Sequence, residues 1–422
     1  MTRAIRLSVA AGCAACCAMP AIAGNPDRAY QRELLADADA RTSLLQLEES
    51  LSGQIDIVGM WGEDRDSYGF GFSDGDKKLG IGGLQQFRYV WNSRDGDTSP
   101  GANDETTIGF QNRQTRLDFG GQLDADNGFR IAIKMGPDGM AELSRAYIVH
   151  RYDENGSIIA GQFQDGFMHE GMVESENQLG IERGILSSYF NVRAVQGIGY
   201  QRVMNDRWRV FVSFNDGHSS SNTDFDQEEV DWGFSGRLEY IVTEDTPDFG
   251  RFQRYSSERG SNYATLIGTG LHLQDGGDTN GSMDIGSLWW TIDATAQGDG
   301  WNAGGAFALL HEDDSTAPDE YLDFGFRIFG GYFLTDTTEA FAAWDSVIPD
   351  GDRPTDETIN ALNFGVHYYP IEGNRTTRFS GDVQIFMGEP AMSIVSPSTT
   401  RAFLNSAEDT QFAFRAQAQL LF

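Results

Sequence analysis

The feature that most constrains this chain is a period-two alternation of apolar and polar residues that recurs from residue 79 to residue 422. In TQFAFRAQAQLLF, Phe412, Phe414, Ala416, Ala418, Leu420 and Phe422 fall on one face, with Gln411, Arg415, Gln417 and Gln419 between them. Successive side chains of a strand point to opposite faces, so such a segment has one greasy and one wet surface. WGFSGRLEYIV sets Trp232, Phe234, Leu238, Tyr240 and Val242 against Arg237 and Glu239. RFSGDVQIFMG sets Phe379, Val383, Ile385 and Met387 against Arg378, Asp382 and Gln384. About sixteen segments fit, each of roughly the ten residues that a membrane strand needs. They lie near 79–91, 109–121, 129–136, 143–151, 157–164, 192–203, 207–215, 232–242, 264–274, 286–297, 301–311, 322–334, 339–347, 361–369, 378–387 and 411–422. The faces of 143–151, 157–164 and 192–203 are weakly marked.

Alternation alone admits two architectures. In a soluble sandwich the apolar face turns into the core. In a membrane barrel it meets lipid, and the charged face lines a wet lumen. The connections separate the two. LDADNG, DENG, MNDR, GDG, DTT and IEGNRTT are short. They alternate with NSRDGDTSPGANDETT, a stretch from about Asp165 to Asn191, DGHSSSNTDFDQEEVD and EPAMSIVSPSTTRAFLNSAEDT. Short periplasmic turns and long external loops are usual in outer-membrane barrels, and a sandwich gives no reason for them. TEDTPDFGRFQRYSSERGSNY breaks the rule by being long where a turn belongs, and PDGMAE is short where a loop belongs. The expected fold is all-β, a transmembrane antiparallel barrel of about 16 strands over residues 77–422. Its first and last strands must pair, because no sheet edge is tolerated in lipid.

The amino-terminal residues read differently. Arg3 and Arg6 precede a short apolar run, and Ala21-Ile22-Ala23 fits a cleavage site. Residues 1–23 are therefore expected to be a signal peptide for export to the outer membrane. Cys13, Cys16 and Cys17 all lie within it, so no disulfide is expected downstream. Residues 24–52, with Leu34, Leu35, Ala38 and Leu45 on one side, form the expected short N-terminal helix, a periplasmic helical or coiled-coil segment. Residues 53–76 read as a linker. The formal charge of −32 and the presence of only three lysines argue against nucleic-acid binding.

One stretch carries a family resemblance. RQTRLDFGGQLD, GFRIAIKMG, AELSRAYIVHRY, SIIAGQFQDGFMHEG and GIERGILSSYF, between about residues 113 and 190, resemble the phosphate-selective porin O and P family. The resemblance implies a 16-stranded, trimeric, anion-preferring channel narrowed by an inward-folded loop. The constriction loop would then hold Glu170, Glu174, Glu176, Glu182 and Arg183. By alternation the pore-lining cations are Arg116, Arg130, Lys134, Arg207, Arg209, Arg237, Arg327, Arg378 and Arg415. Guanidinium forks suit phosphate, and rings of positive side chains select anions. The same rule puts Asp118, Glu239, Asp293, Glu312 and Asp382 in the lumen, and the family's lysine cluster is missing. A weakly selective porin with paired charges is therefore the alternative. Phe412, Phe414, Leu420 and Phe422 resemble the signal read by the outer-membrane assembly machinery. The expected partners are membrane lipid, small anions such as phosphate, that machinery and two further copies in a homotrimer.

No HExxH or glycine-rich phosphate loop is present, and neither an enzyme nor a cofactor is expected. DGGDTNGSMD offers Asp275, Asp278, Asn280 and Asp284 but lacks full EF-hand spacing. A structural or adhesive barrel with acidic calcium-binding loops is the remaining alternative, and no specific metal site is expected.

Overall fold

The computed structural model describes residues 69–74, 77–94, 106–225, 230–243, 245, 247–276, 285–314, 320–406 and 409–422. The signal peptide, the helical segment, the linker up to residue 68 and the acidic stretch 277–284 lie outside the described residues.

The chain runs through β1 (Phe70–Asp74), β2 (Lys77–Arg94), β3 (Thr106–Gln122), β4 (Asn127–Met135), β5 (Ala141–Asp153) and β6 (Gly156–Gln164). Two short helices follow, α1 (His169–Met172) and α2 (Ile185–Phe190). Then come β7 (Ala194–Met204), β8 (Trp208–Asn215), β9 (Trp232–Thr243), β10 (Ala264–Asp275), β11 (Ile285–Gly298) and β12 (Trp301–Asp314). The last five are β13 (Glu320–Thr335), β14 (Thr338–Ile348), β15 (Ile359–Tyr368), β16 (Thr377–Met387) and β17 (Thr410–Leu421). From β2 onward each strand pairs antiparallel with the next, and β17 returns to β2, so the sheet closes. β17 pairs with residues 84–94 of β2, and β1 with residues 77–81. β1 therefore continues the row of β17, and the wall is sixteen strands around. These are the sixteen alternating segments; β1, at the end of the linker, is a strand that alternation did not mark.

Side-chain burial is inverted relative to a soluble protein. On β9, Trp232, Phe234, Leu238 and Val242 are exposed, while Ser235, Arg237 and Glu239 are buried. On β17, Phe412, Phe414 and Leu420 are exposed, and Gln411, Arg415, Gln417 and Gln419 are buried. Apolar residues out and charged residues in are what a lipid-facing wall around a polar interior requires. No helix among the described residues is long and apolar enough to cross a membrane.

The wall closes where Phe422 meets β2. Gly83 and Phe422 exchange both backbone hydrogen bonds, at 2.6 and 3.0 Å. A Cβ at Gly83 would lie 2.6 Å from the Phe422 ring and 2.8 Å from the Arg116 carbonyl. Gly83→Val is expected to cut the yield of closed barrel several-fold, read as the heat-modifiable band on a detergent gel. An unchanged yield would show that the seam tolerates a side chain.

The weakly marked segments have a physical explanation. Tyr147 and Val149 of β5, Ile159 and Phe163 of β6, and Val195 of β7 point inward and are buried. They pack on Phe167, Met168, Met172, Ile185, Leu186 and Phe190 of the connection 165–193, which folds into the barrel. Both faces of these strands are greasy there, so the alternation fades.

Candidate functional site

The interior is organised by the connection 165–193. It leaves β6 at the long-loop end and crosses to the opposite wall. There Leu179 O meets His367 Nε2 at 2.6 Å, and Gln419 Nε2 donates to Glu176 O at 3.3 Å. Asp165 starts this segment. It accepts from Ser213 Oγ and from the Phe167 N–H, both at 2.9 Å. Burial nevertheless pushes its carboxyl up to about 6, with the hydrogen bonds pulling the other way. An acid raised in the folded state binds its proton there first. Its penalty is therefore absent below the unfolded value near 3.9 and fully felt above about 6. Barrel stability should fall by roughly 2–3 kcal/mol as pH rises through that window. Asp165→Asn should remove that slope in urea titrations at several pH values; an unaltered slope would assign it elsewhere.

Seven of the cations expected in the pore, Arg116, Arg130, Arg209, Arg237, Arg327, Arg378 and Arg415, face inward and are at most 5 % exposed. Lys134 sits partly exposed at the rim, 2.5 Å from Glu142. Arg207 lies in the turn between β7 and β8 and donates to the Ile241 and Thr243 carbonyls, apart from the others. Phe412, Phe414, Leu420 and Phe422 stand on the outer face.

Charges taken out of water need partners, and these have them. Arg209 Nε meets Glu239 at 2.6 Å, the same carboxylate accepts from Arg237 Nε at 2.9 Å, and Arg237 grips Asp293 at 2.7 and 2.8 Å. Arg415 and Asp382, each wholly buried at the side chain, form a two-pronged pair at 2.9 and 2.6 Å. Arg116 and Arg130 share Asp118 at 2.6 and 2.7 Å. Glu312 pairs with Arg353 of the connection after β14.

The inward segment supplies the remaining carboxylates. Glu174 bridges Arg116 and Arg130 at 3.2 and 3.0 Å, and Glu176 meets Arg116 at 2.6 Å. Glu170 faces Arg327 at 3.6 Å, beside the Arg327–Asp345 pair at 2.6 Å. Glu182 joins Arg88 at 2.6 Å and is shared by Arg113. Burial works to raise the Glu182 carboxyl, but Arg113 and Arg88 outweigh it and hold it well below the usual carboxylate range. Arg183 holds the segment to itself through the Glu170 and Val173 carbonyls. Arg378 contacts only neutral groups among the described residues, Gln178 O and Gln419 Oε1, both at 3.2 Å.

Arg88 and Arg113 of the wall, and Arg353 of the connection after β14, were not among the expected pore residues. Arg88 alternates with Phe87 and Tyr89, so the signal was present in the sequence. Arg113 sits at a register shift between β2 and β3. That irregularity breaks the period-two count at Arg113. Among the described residues no cluster of His, Cys, Asp or Glu forms a metal site.

The interior thus presents hydrogen-bonding groups and charges that are mostly paired. No family model matches the sequence, and no curated protein does. Solved structures do share the architecture. The outer-membrane channel DcaP of Acinetobacter baumannii matches with a TM-score of 0.57 at 10% identity, over 84% of this chain and 100% of that one. An anion-selective porin from Comamonas acidovorans gives 0.56 at 10% identity, over 82% and 100%. OmpT of Vibrio cholerae in its trimer form gives 0.54 at 12% identity, over 82% and 99%. At these identities the likeness is one of fold: the chain is built as a 16-stranded barrel of the kind found in outer-membrane porins and channels.

Proposed function

We propose that this protein is an outer-membrane porin, a narrow diffusion channel for small hydrophilic solutes with weak charge selectivity. The observation that carries the reading is the pairing of most inward arginines of the wall with a carboxylate, from the wall or from the segment 165–193. A paired guanidinium presents little net field, so it braces the wall more than it attracts an anion.

A second reading, anion or phosphate preference, is favoured by one place. Around Glu182 the guanidinium groups of Arg88 and Arg113 already outnumber the carboxylate, and Arg401 lies near enough to feel both signs. Assembly as a homotrimer is part of the proposal, by analogy with the trimer form of OmpT.

Liposome swelling tests the channel. The purified protein is expected to admit neutral, anionic and cationic solutes of like size at rates within a few-fold of one another. Folded protein that admits none would overturn the channel and favour a structural or adhesive barrel. Admission of anions alone would replace weak selectivity with the second reading.

A further inference from the structure

The wall drops in height between β3 and β4. Thr115–Gln122 of β3 pair with β4, but among the described residues Thr106–Gln114 pair only with β2. β4 ends at Met135, and residues 136–140 lead directly into β5. Residues 106–114, about 30 Å of strand, are left as a sheet edge at the long-loop end. Residues 95–105, which join Arg94 to Thr106, are too few to run down that edge and back. A cavity of about 290 Å³ opens on the edge. Ile108, Gly109 and Phe110 bound it, with Pro137 of the connection to β5 and Ala402 and Leu404 of the connection after β16.

This edge suits neither lipid nor water. Unpaired backbone N–H and C=O groups are excluded from hydrocarbon. Ile108 and Phe110 are 61% and 71% exposed, and Phe87 stacks on Phe110 at 5.6 Å, an apolar surface that water disfavours. The outer face beside it is polar. Gln85 accepts from Thr115 Oγ1 at 2.6 Å and donates to Asn112 Oδ1 at 3.1 Å. Gln85 stands opposite Leu420 and Asn112 opposite Phe87, both exposed, so the amides point outward. Hydrogen-bonding side chains on a membrane wall mark places where protein meets protein. An extended segment of another chain would satisfy the backbone, the apolar flank and the amides together. The edge begins level with Thr115 of the wall, so its partner must lie beside the barrel at the same depth in the membrane, as a second copy of this chain does. The inference rests on the homotrimer reading and goes beyond it. We propose that residues 106–114 of β3 are a contact between copies: the edge takes up an extended segment of the neighbouring copy as an added strand, with Gln85 and Asn112 facing that copy. A cyclic assembly joins unlike surfaces, so the edge of one copy meets a different part of the next.

Photo-crosslinking of the full-length protein in the intact outer membrane tests this. A benzophenone amino acid in place of Phe110 should give a covalent species made of two copies of this chain, identified by mass spectrometry. The same group in place of Phe364, exposed on the outer face of β15, should not. Ile108→Lys with Phe110→Lys puts charge on the edge and should shift the native mass in detergent from three copies to one, with the heat-modifiable band of the folded barrel unchanged. A position-110 adduct with lipid, with another protein or within the same chain would overturn the added strand. A mass of three copies for the folded lysine variant would overturn it too, and in either case a wild-type mass of three copies leaves the homotrimer reading standing. A wild-type mass of one copy, with no two-copy adduct in the membrane, would overturn both.

Discussion

Glu182→Gln is expected to make the lumen anion-selective. The change leaves Arg88 and Arg113 facing each other without the carboxylate they share. One uncompensated charge some 8 Å from a permeating ion is worth about 2 kcal/mol at an effective dielectric near 20. Allowing for salt, the chloride-to-potassium permeability ratio should rise on the order of tenfold. The reversal potential in a potassium chloride gradient measures it directly. Because the acid also tethers the inward segment, conductance should rise as well. A reversal potential unchanged from the wild type would mean that permeating ions never sense this group.

The second large effect concerns the wall. Asp382→Ala strands the wholly buried Arg415, and breaking a buried pair from one side costs about 3–5 kcal/mol. Removing both partners, as Asp382→Leu with Arg415→Leu, should recover most of that loss, since the desolvation penalty goes with the charges. Urea unfolding in detergent, followed by the shift in gel mobility, reads both. If the double variant is as unstable as the single one, the pair contributes through packing or through Arg415's bond to the Arg401 carbonyl, not through its charges.

How much of this was legible in the sequence depends on what each residue faces. A strand with lipid on one side and a polar lumen on the other writes its face into the chain, which is why β9, β16 and β17 could be oriented residue by residue. β5, β6 and β7 could not, because Tyr147, Ile159 and Phe163 pack on an inserted segment instead of facing water. Inward arginines were identifiable by alternation, and Arg88 follows the same rule. Their partners were not, because pairing Glu182 with Arg88 and Arg113 depends on how a loop folds through space. The stretch between β9 and β10 showed only as an excess of length. Its inward path is set by Phe249, Phe252 and Tyr255 finding apolar partners, which no local pattern encodes.

Carboxylates neutralise most of the lumen's arginines in place. The reversal potential of the unmodified protein in a planar bilayer, under a potassium chloride gradient and then with added phosphate, tests it most directly. Small current steps reversing near zero and indifferent to phosphate are the result expected of paired guanidinium groups. A strongly chloride-directed potential, with current blocked by low phosphate, would contradict the claim and show that these arginines are open to the solute.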